Sequence, residues 1–186
     1  MSEIPDVFTG AWVRQGISLD GGPFQEDAVV WWLQGPSIHA DLRVARDGTS
    51  PSTCFAGVTT WDGAALTWTR QIDLEDYAGV DTGTASWDGP DLLETGTFEN
   101  PDGTTTTYVE RWVRPPDSTA PVSAEERDGI YVVRAGAYAL TITDERPTGG
   151  AYRGTAWTLF ADRWIAHHTL PGESLAPSPA DVWALR

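Results

Sequence analysis

The stretch FAGVTTWDGAALTWTRQID, from Phe55 to Asp73, sets two runs rich in Thr, Val, Ile and Trp on either side of Asp62-Gly63. Within each run the residue types alternate with period two, the repeat of a β-strand whose successive side chains point to opposite faces. Asp-Gly tolerates the positive φ angles of a tight turn, so the stretch predicts two antiparallel strands joined as a hairpin. The pair recurs at Asp20-Gly21, Asp47-Gly48, Asp88-Gly89, Asp102-Gly103 and Asp128-Gly129. Reading outward on this basis predicts strands over 9–19, 28–34, 37–45, 53–61, 65–73, 81–88, 91–99, 104–114, 129–135, 138–144, 154–161 and 164–169. Helical periodicity is weak. Short helical turns are expected only at SAEERDG (123–129), with Ser123 as cap and Glu126 three residues on, and at SPADVWALR (178–186), capped by Ser178. The fold class is therefore all-β: an antiparallel up-and-down barrel of about ten strands, whose closure removes exposed edges.

A chain of 186 residues, 40% hydrophobic and with 10 Trp, can bury a real core. A single domain over 1–186 is expected, with the Pro-rich stretch PPDSTAPVSA (115–124) a loop inside it, because the roughly 60 residues beyond would bury too little surface alone. The net charge of -15 disfavours nucleic acid and anionic membrane surfaces as partners. All 12 basic residues are Arg, which excludes Schiff-base chemistry and a phosphate-loop lysine. No apolar run approaches a membrane span, and residues 1–15 carry no basic-then-apolar pattern, so a cytoplasmic location is expected. The lone Cys54 reads as a buried, inert thiol.

The opening FTGAW carries Phe8, Gly10 and Trp12 in a Gly-x-Trp pattern that resembles the first strand of lipocalins and the wider calycin group. The strings WLQ (32–34), ADLR (40–43), FAG (55–57) and YVERW (108–112) resemble a poorly characterised bacterial family related to HRI1-type barrels. The resemblance implies a lipocalin-like barrel with an internal cavity, in which Trp12 closes the floor. It lacks a disulfide, a Thr-Asp-Tyr turn and a long C-terminal helix, features of the secreted carriers. Fold alone does not choose between carrier and enzyme.

Face assignment decides the site. Over 37–45 one face reads Ser37, His39, Asp41, Arg43 and the other Ile38, Ala40, Leu42, Val44. A half-wet sheet puts the aliphatic row inside. The other strands argue the reverse, since Trp12 shares a face with Arg14, Trp32 with Gln34, Trp68 with Arg70, and Trp112 with Tyr108, Glu110 and Arg114. If the aromatics point inward, Trp32, Gln34, Arg43, Trp68, Arg70, Tyr108 and Trp112 are ligand-binding candidates. Glu110, Asp41, His39 and Arg14 are the catalytic candidates, with Glu110 paired to Arg14 or Arg70 and Asp41 to Arg43 so that no buried charge is bare. Such pairs are equally consistent with a structural role.

His167 and His168, adjacent on a strand, are expected to face opposite sides, and no metal or other cofactor is expected. Asp47-Gly48 and DLEDY (73–77) lack calcium-loop spacing and read as solvated loops. The function expected is binding of a small, partly apolar molecule by a monomer or homodimer. The alternatives are a cofactor-independent isomerase, cyclase or lyase in the same cavity, and a protein-interaction module displaying Trp61, Trp87 or Trp183.

Overall fold

In the computed structural model, which describes residues 4–47, 51–77 and 79–184, the Phe55–Asp73 hairpin is strands β4 (Thr53–Trp61) and β5 (Ala65–Asp73) of a closed barrel. The barrel runs in chain order through β1 (Gly10–Leu19), β2 (Ala28–Gln34), β3 (Ile38–Ala45), β4, β5, β6 (Val80–Asp88), β7 (Asp91–Glu99) and β8 (Thr105–Val113). Every neighbouring pair is antiparallel, and β8 returns to β1. The all-β, antiparallel, closed architecture is as the alternation implies. The barrel, however, takes eight strands rather than about ten.

The remaining strands form a separate sheet, ordered β13 (Arg163–Thr169), β12 (Tyr152–Phe160), β11 (Tyr138–Asp144), β10 (Ile130–Ala135), β9 (Val122–Arg127). Turn chemistry sets these hairpins too: Asp128 and Gly129 have φ of 51° and 77°, as a two-residue turn of this hand requires. The expected helical turn at 123–129 is instead β9. Ser123 to Arg127 pair in register with β10, and the tertiary pairing overrides a cap signal too short to nucleate a helix. The Pro-rich loop accordingly ends at Pro121. At the C-terminus the expected turn forms as α1 (Pro179–Ala184), with Ser178 Oγ accepting from Asp181 N at 3.2 Å. Gly48 of the Asp47-Gly48 turn, and residues 185–186 of the last motif, lie outside the described residues.

The second sheet lies on the outside of the barrel wall. Ala11, Trp31, Leu33, Ala40, Leu42, Cys54 and Ala56 from β1–β4 form one cluster with Tyr131, Val133, Leu140, Ile142 and Ala156 from β10–β12. Two glycines permit the approach. A Cβ on Gly154 would sit 2.5 Å from Cys54 Sγ, and one on Gly35 would collide with the Ala124 side chain. Cys54 is fully buried there, and burial pushes its thiol pKa up, as an inert thiol requires.

The wall of β2–β4 is thus buried on both faces, and that resolves the ambiguity of β3. Its aliphatic row packs against the second sheet, and its polar row faces the lumen. Truncating Leu42, buried between the two sheets, to Ala is expected to cost about 2–4 kcal/mol in urea-induced unfolding, whereas Leu19→Ala, on a 47% exposed side chain, costs less than about 0.5.

Candidate functional site

One end of the barrel is filled. Phe8, Trp12, Leu66, Leu92 and Trp112 pack there with Trp32 and Trp68. Trp12 is fully buried, donates its indole N–H to Phe8 O at 2.9 Å, and carries the Arg114 guanidinium 3.8 Å from its ring centroid. Trp12 stacks on Trp32, which meets Trp68 and Trp112 edge to face at 5.7 and 5.5 Å. Above this aromatic floor lies a cavity of about 580 Å³.

The cavity's wall is charged, and its charges are paired. Arg14 is buried between Glu26, whose carboxylate it meets at 2.8 and 3.0 Å, and Glu110. Arg43 holds Asp41 at 2.8 Å. Arg70 bridges Asp73 at 2.7 Å and Asp81 at 2.6 Å, and its guanidinium lies 3.7 Å over the Phe55 ring. Removing such charges from water is tolerable only because each is met at close range.

Glu94 is the exception. It is 9% exposed, makes no ion pair among the described residues, and accepts hydrogen bonds from Tyr108 Oη and Trp112 Nε1, both at 3.2 Å. Burial, then repulsion from Glu110, pushes its pKa up to about 8, so the group is largely a neutral acid at pH 7. Burial and the same two carboxylates push the Tyr108 phenol up as well. A Cβ on Gly83 would lie 2.7 Å from Glu94 Cγ, and one on Gly96 would collide with the Tyr108 hydroxyl, so both side chains depend on glycines opposite them.

His39 is fixed as one tautomer by a chain of hydrogen bonds. Gln34 Nε2 lies 2.9 Å from Gly35 O and 3.4 Å from Ile38 O, and two carbonyls require the donor end of the amide. Its Oε1 is then the acceptor of the Thr59 hydroxyl proton at 2.9 Å. With that proton committed, the 3.0 Å contact of Thr59 Oγ1 needs His39 Nδ1 as donor. His39 Nε2 is left with a lone pair, fully buried and without a partner among the described residues. Burial, then the charge of Arg70, lowers the imidazole pKa to about 3, so the ring stays neutral.

Of the residues singled out in the sequence, Trp32, His39, Asp41, Arg43, Trp68, Arg70, Tyr108, Glu110 and Trp112 line this one cavity. Arg14 and Gln34 do not; they stand behind Glu110 and His39. The Glu110–Arg14 and Asp41–Arg43 pairs form as expected, while Arg70 pairs with Asp73 and Asp81 rather than Glu110. Sequence reading missed Glu94, Phe55, Asp81, Phe98 and Tyr77. Glu94 had a signal, since it sits between Leu92 and Phe98 on the apolar face of β7. Strict alternation puts Ile17 on the face opposite Trp12 and Arg14, but a bulge between Arg14 and Gly16 switches parity and brings it to the cavity. DLEDY is a solvated loop over 75–77, as expected, but it begins on buried Asp73 at the end of β5, and Glu75 and Tyr77 line the cavity mouth. A second bulge, opposite Ala156 and Trp157, also brings the His167 and His168 rings together, Nδ1 to Nδ1 at 2.7 Å, where strict alternation separates them. No group of three or more metal-ligating side chains occurs among the described residues.

A closed eight-stranded antiparallel barrel, floored with tryptophan and flanked by a second sheet, fits the lipocalin-like and HRI1-type form. The family model described as Protein HRI1 matches residues 11–160, and the chain belongs to that family. Its fold is similar to that in the crystal structure of the uncharacterized protein YLR301w from Saccharomyces cerevisiae, with a TM-score of 0.64 and 13% identity over 87% of this chain and 85% of that one. No curated protein sequence matches. Among the described residues, no helix is long and apolar enough to cross a membrane.

The raised pKa of Glu94 has a definite sign for stability. In the unfolded chain the carboxyl ionises near its ordinary 4.5, in the fold near 8, so its contribution is fully present below about pH 4.5 and is lost as pH rises through about 8. Glu94→Gln removes that loss: thermal melts are expected to coincide with wild type near pH 4.5 and to lie higher above pH 8, by more than the ~2–4 °C that about 1 kcal/mol produces in a chain of this size. A pH-independent difference between the two proteins contradicts the assignment.

Proposed function

We propose that the protein binds a small, partly apolar molecule in the barrel cavity. The observation that carries this reading is the cavity itself: about 580 Å³, within the range of small-molecule sites, with an aromatic floor and a few converging polar groups. Two buried polar atoms of its lining, the His39 Nε2 acceptor and the Trp32 Nε1 donor, lack partners among the described residues, which supports a ligand with hydrogen-bonding groups as well as an apolar body. Of the three tryptophans that would mark a protein-binding patch, two share one place and the third stands apart. Trp61 and Trp87 pack on Phe8 at the closed end, and Trp183 packs on Trp164 beside the second sheet.

A second reading, cofactor-independent proton transfer, is favoured by one specific feature. Glu94 is a carboxyl poised near neutrality in a site that also holds a neutral imidazole. Within it Glu94 is a better acid-base candidate than Glu110 or Asp41, since those two are already engaged in ion pairs with Arg14 and Arg43. Arg14 and Gln34 then act as positioning residues.

Native mass spectrometry of freshly purified protein tests the binding reading: a retained mass is expected. Val80 is 55% exposed at the cavity mouth, so Val80→Trp obstructs entry with little cost to the core. The variant is expected to lose the retained mass or weaken its binding by at least ~10-fold, at unchanged melting temperature. Retention equal to wild type places the ligand elsewhere.

A further inference from the structure

The cavity's charge balance is one-sided. Six carboxyl groups line it, of Asp41, Glu75, Asp81, Glu94, Glu99 and Glu110, against the guanidiniums of Arg43 and Arg70. Both cations are already engaged, Arg43 by Asp41 and Arg70 by Asp73 and Asp81, and Arg14 behind the wall is held by Glu26 and Glu110. An anionic ligand therefore finds no uncommitted cation. Glu75 and Glu99 are exposed at the mouth, and the whole chain carries -15, so the approach to the cavity concentrates cations. At depth, Glu94 makes no ion pair among the described residues; it accepts from the indole N–H of Trp112, a ring of the tryptophan floor that meets Trp32 edge to face. His39 Nε2, a buried acceptor that the Gln34–Thr59 relay holds unprotonated, also asks for a donor.

Resting on the binding reading above, we propose that the ligand is an organic cation: an ammonium group carried on a flat apolar body, with Glu94 as its counter-ion and the tryptophan floor as its bed. Ring faces attract cations as well as burying apolar surface, and an ammonium N–H suits the lone pair of His39. The glycines at 83 and 96 fit this role, because they hollow the wall where Glu94 and Tyr108 stand. The charged groups facing Glu94 are Glu110 and the Tyr108 phenol from β8 and Arg43 from β3; Asp81 of β6 and Asp41 of β3 share the cavity. Because Glu94 is mostly protonated at pH 7, a cation that pairs with its carboxylate drives its proton to the buffer. One proton leaves the acid, the ammonium takes its place, and affinity rises with pH up to about 8.

The test compares three probes with one apolar body: 2-phenylethylammonium, 2-phenylethanol and 3-phenylpropionate, titrated calorimetrically into the whole protein. The expected order is ammonium, then alcohol, then carboxylate, with the ammonium favoured over the alcohol by at least ~10-fold at about pH 8. Titrations at about pH 7 in buffers of different ionisation heat are expected to show close to one proton released per ammonium bound and none for the alcohol. Glu94→Gln is expected to abolish both the preference and the proton release while retaining the alcohol. Alcohol or carboxylate binding more tightly than the ammonium overturns the inference and leaves the binding reading intact. Binding of none of the three at millimolar concentration overturns both. The proton count is measured on the unaltered protein, so a Glu94→Gln chain that does not fold leaves the inference exposed: ammonium binding without proton release overturns the role of Glu94.

Discussion

The structure depends on a wall that is buried twice. In an antiparallel sheet with one wet face, burial and polarity follow alternation simply, and the aliphatic row of β3 belongs inside. Here the second sheet covers the outer face of β1–β4, and Leu33, Ala40, Leu42 and Ala56 go into that interface. The aliphatic burial that a barrel usually needs in its lumen is met outside it. His39, Asp41 and Arg43 are thereby free to line a cavity, which single-sided burial of Ile38, Ala40 and Leu42 would have prevented. Trp31 and Trp32 show the same division on β2: the first packs on Tyr138 and His167 in the outer layer, the second on Trp12, Trp68 and Trp112 in the floor.

A charged lumen carries a desolvation cost, and the arrangement of pairs limits where chemistry or binding can occur. Arg14, Arg43 and Arg70 each face a carboxylate, Arg43 along its own strand β3 and the other two across strands, where the pairs help hold the register. Arg14 ties β1 to β8 and to the Glu26 segment ahead of β2; Arg70 ties β5 to β6. A ligand gains little by competing for such groups, since separating a buried pair leaves both partners exposed to the same penalty. The groups that remain available are Glu94, whose hydrogen-bond donors are both neutral and which makes no ion pair among the described residues, and His39 Nε2, whose ring is oriented by a relay that ends on backbone carbonyls.

Much of this was legible in the sequence, because hairpin turns and alternation are local. The Asp-Gly turns and period-two runs place twelve of the strands, and parity alone groups Trp32, Trp68, Tyr108, Glu110 and Trp112 in one lumen. What was not legible is non-local. That the chain divides after β8, and that the last five strands cover the first four, depends on which apolar faces meet across long separations. Bulges are equally silent in the pattern. One residue inserted in β1 moved Ile17 to the inner face, and one in β13 turned His167 onto His168. β9 was hidden because Ser123 and Glu126 imitate a helix start, while its pairing with β10 is fixed by the Asp128-Gly129 turn that follows it.

The cavity's depth is set by where bulk and its absence fall along the barrel axis. Trp12, Trp32, Trp68 and Trp112 fill the closed end so completely that Trp12 and Trp112 are at or near zero exposure. Toward the other end the luminal positions of β6 and β7 change character: Gly83 and Gly96 stand where Cβ atoms would meet Glu94 and Tyr108. Large side chains from one strand therefore lean into hollows left by glycine on the next, and the lumen stays open although most of its lining residues are large. An aromatic floor supplies apolar area and ring faces, while the glycine-backed wall supplies a carboxyl that the fold leaves unneutralised. Burial and the neighbouring Glu110 favour the neutral acid at that depth, against a smaller opposing pull from Arg43. A bound cation would favour the ionised form further, and on the proposal above that ties the site's protonation to its occupancy.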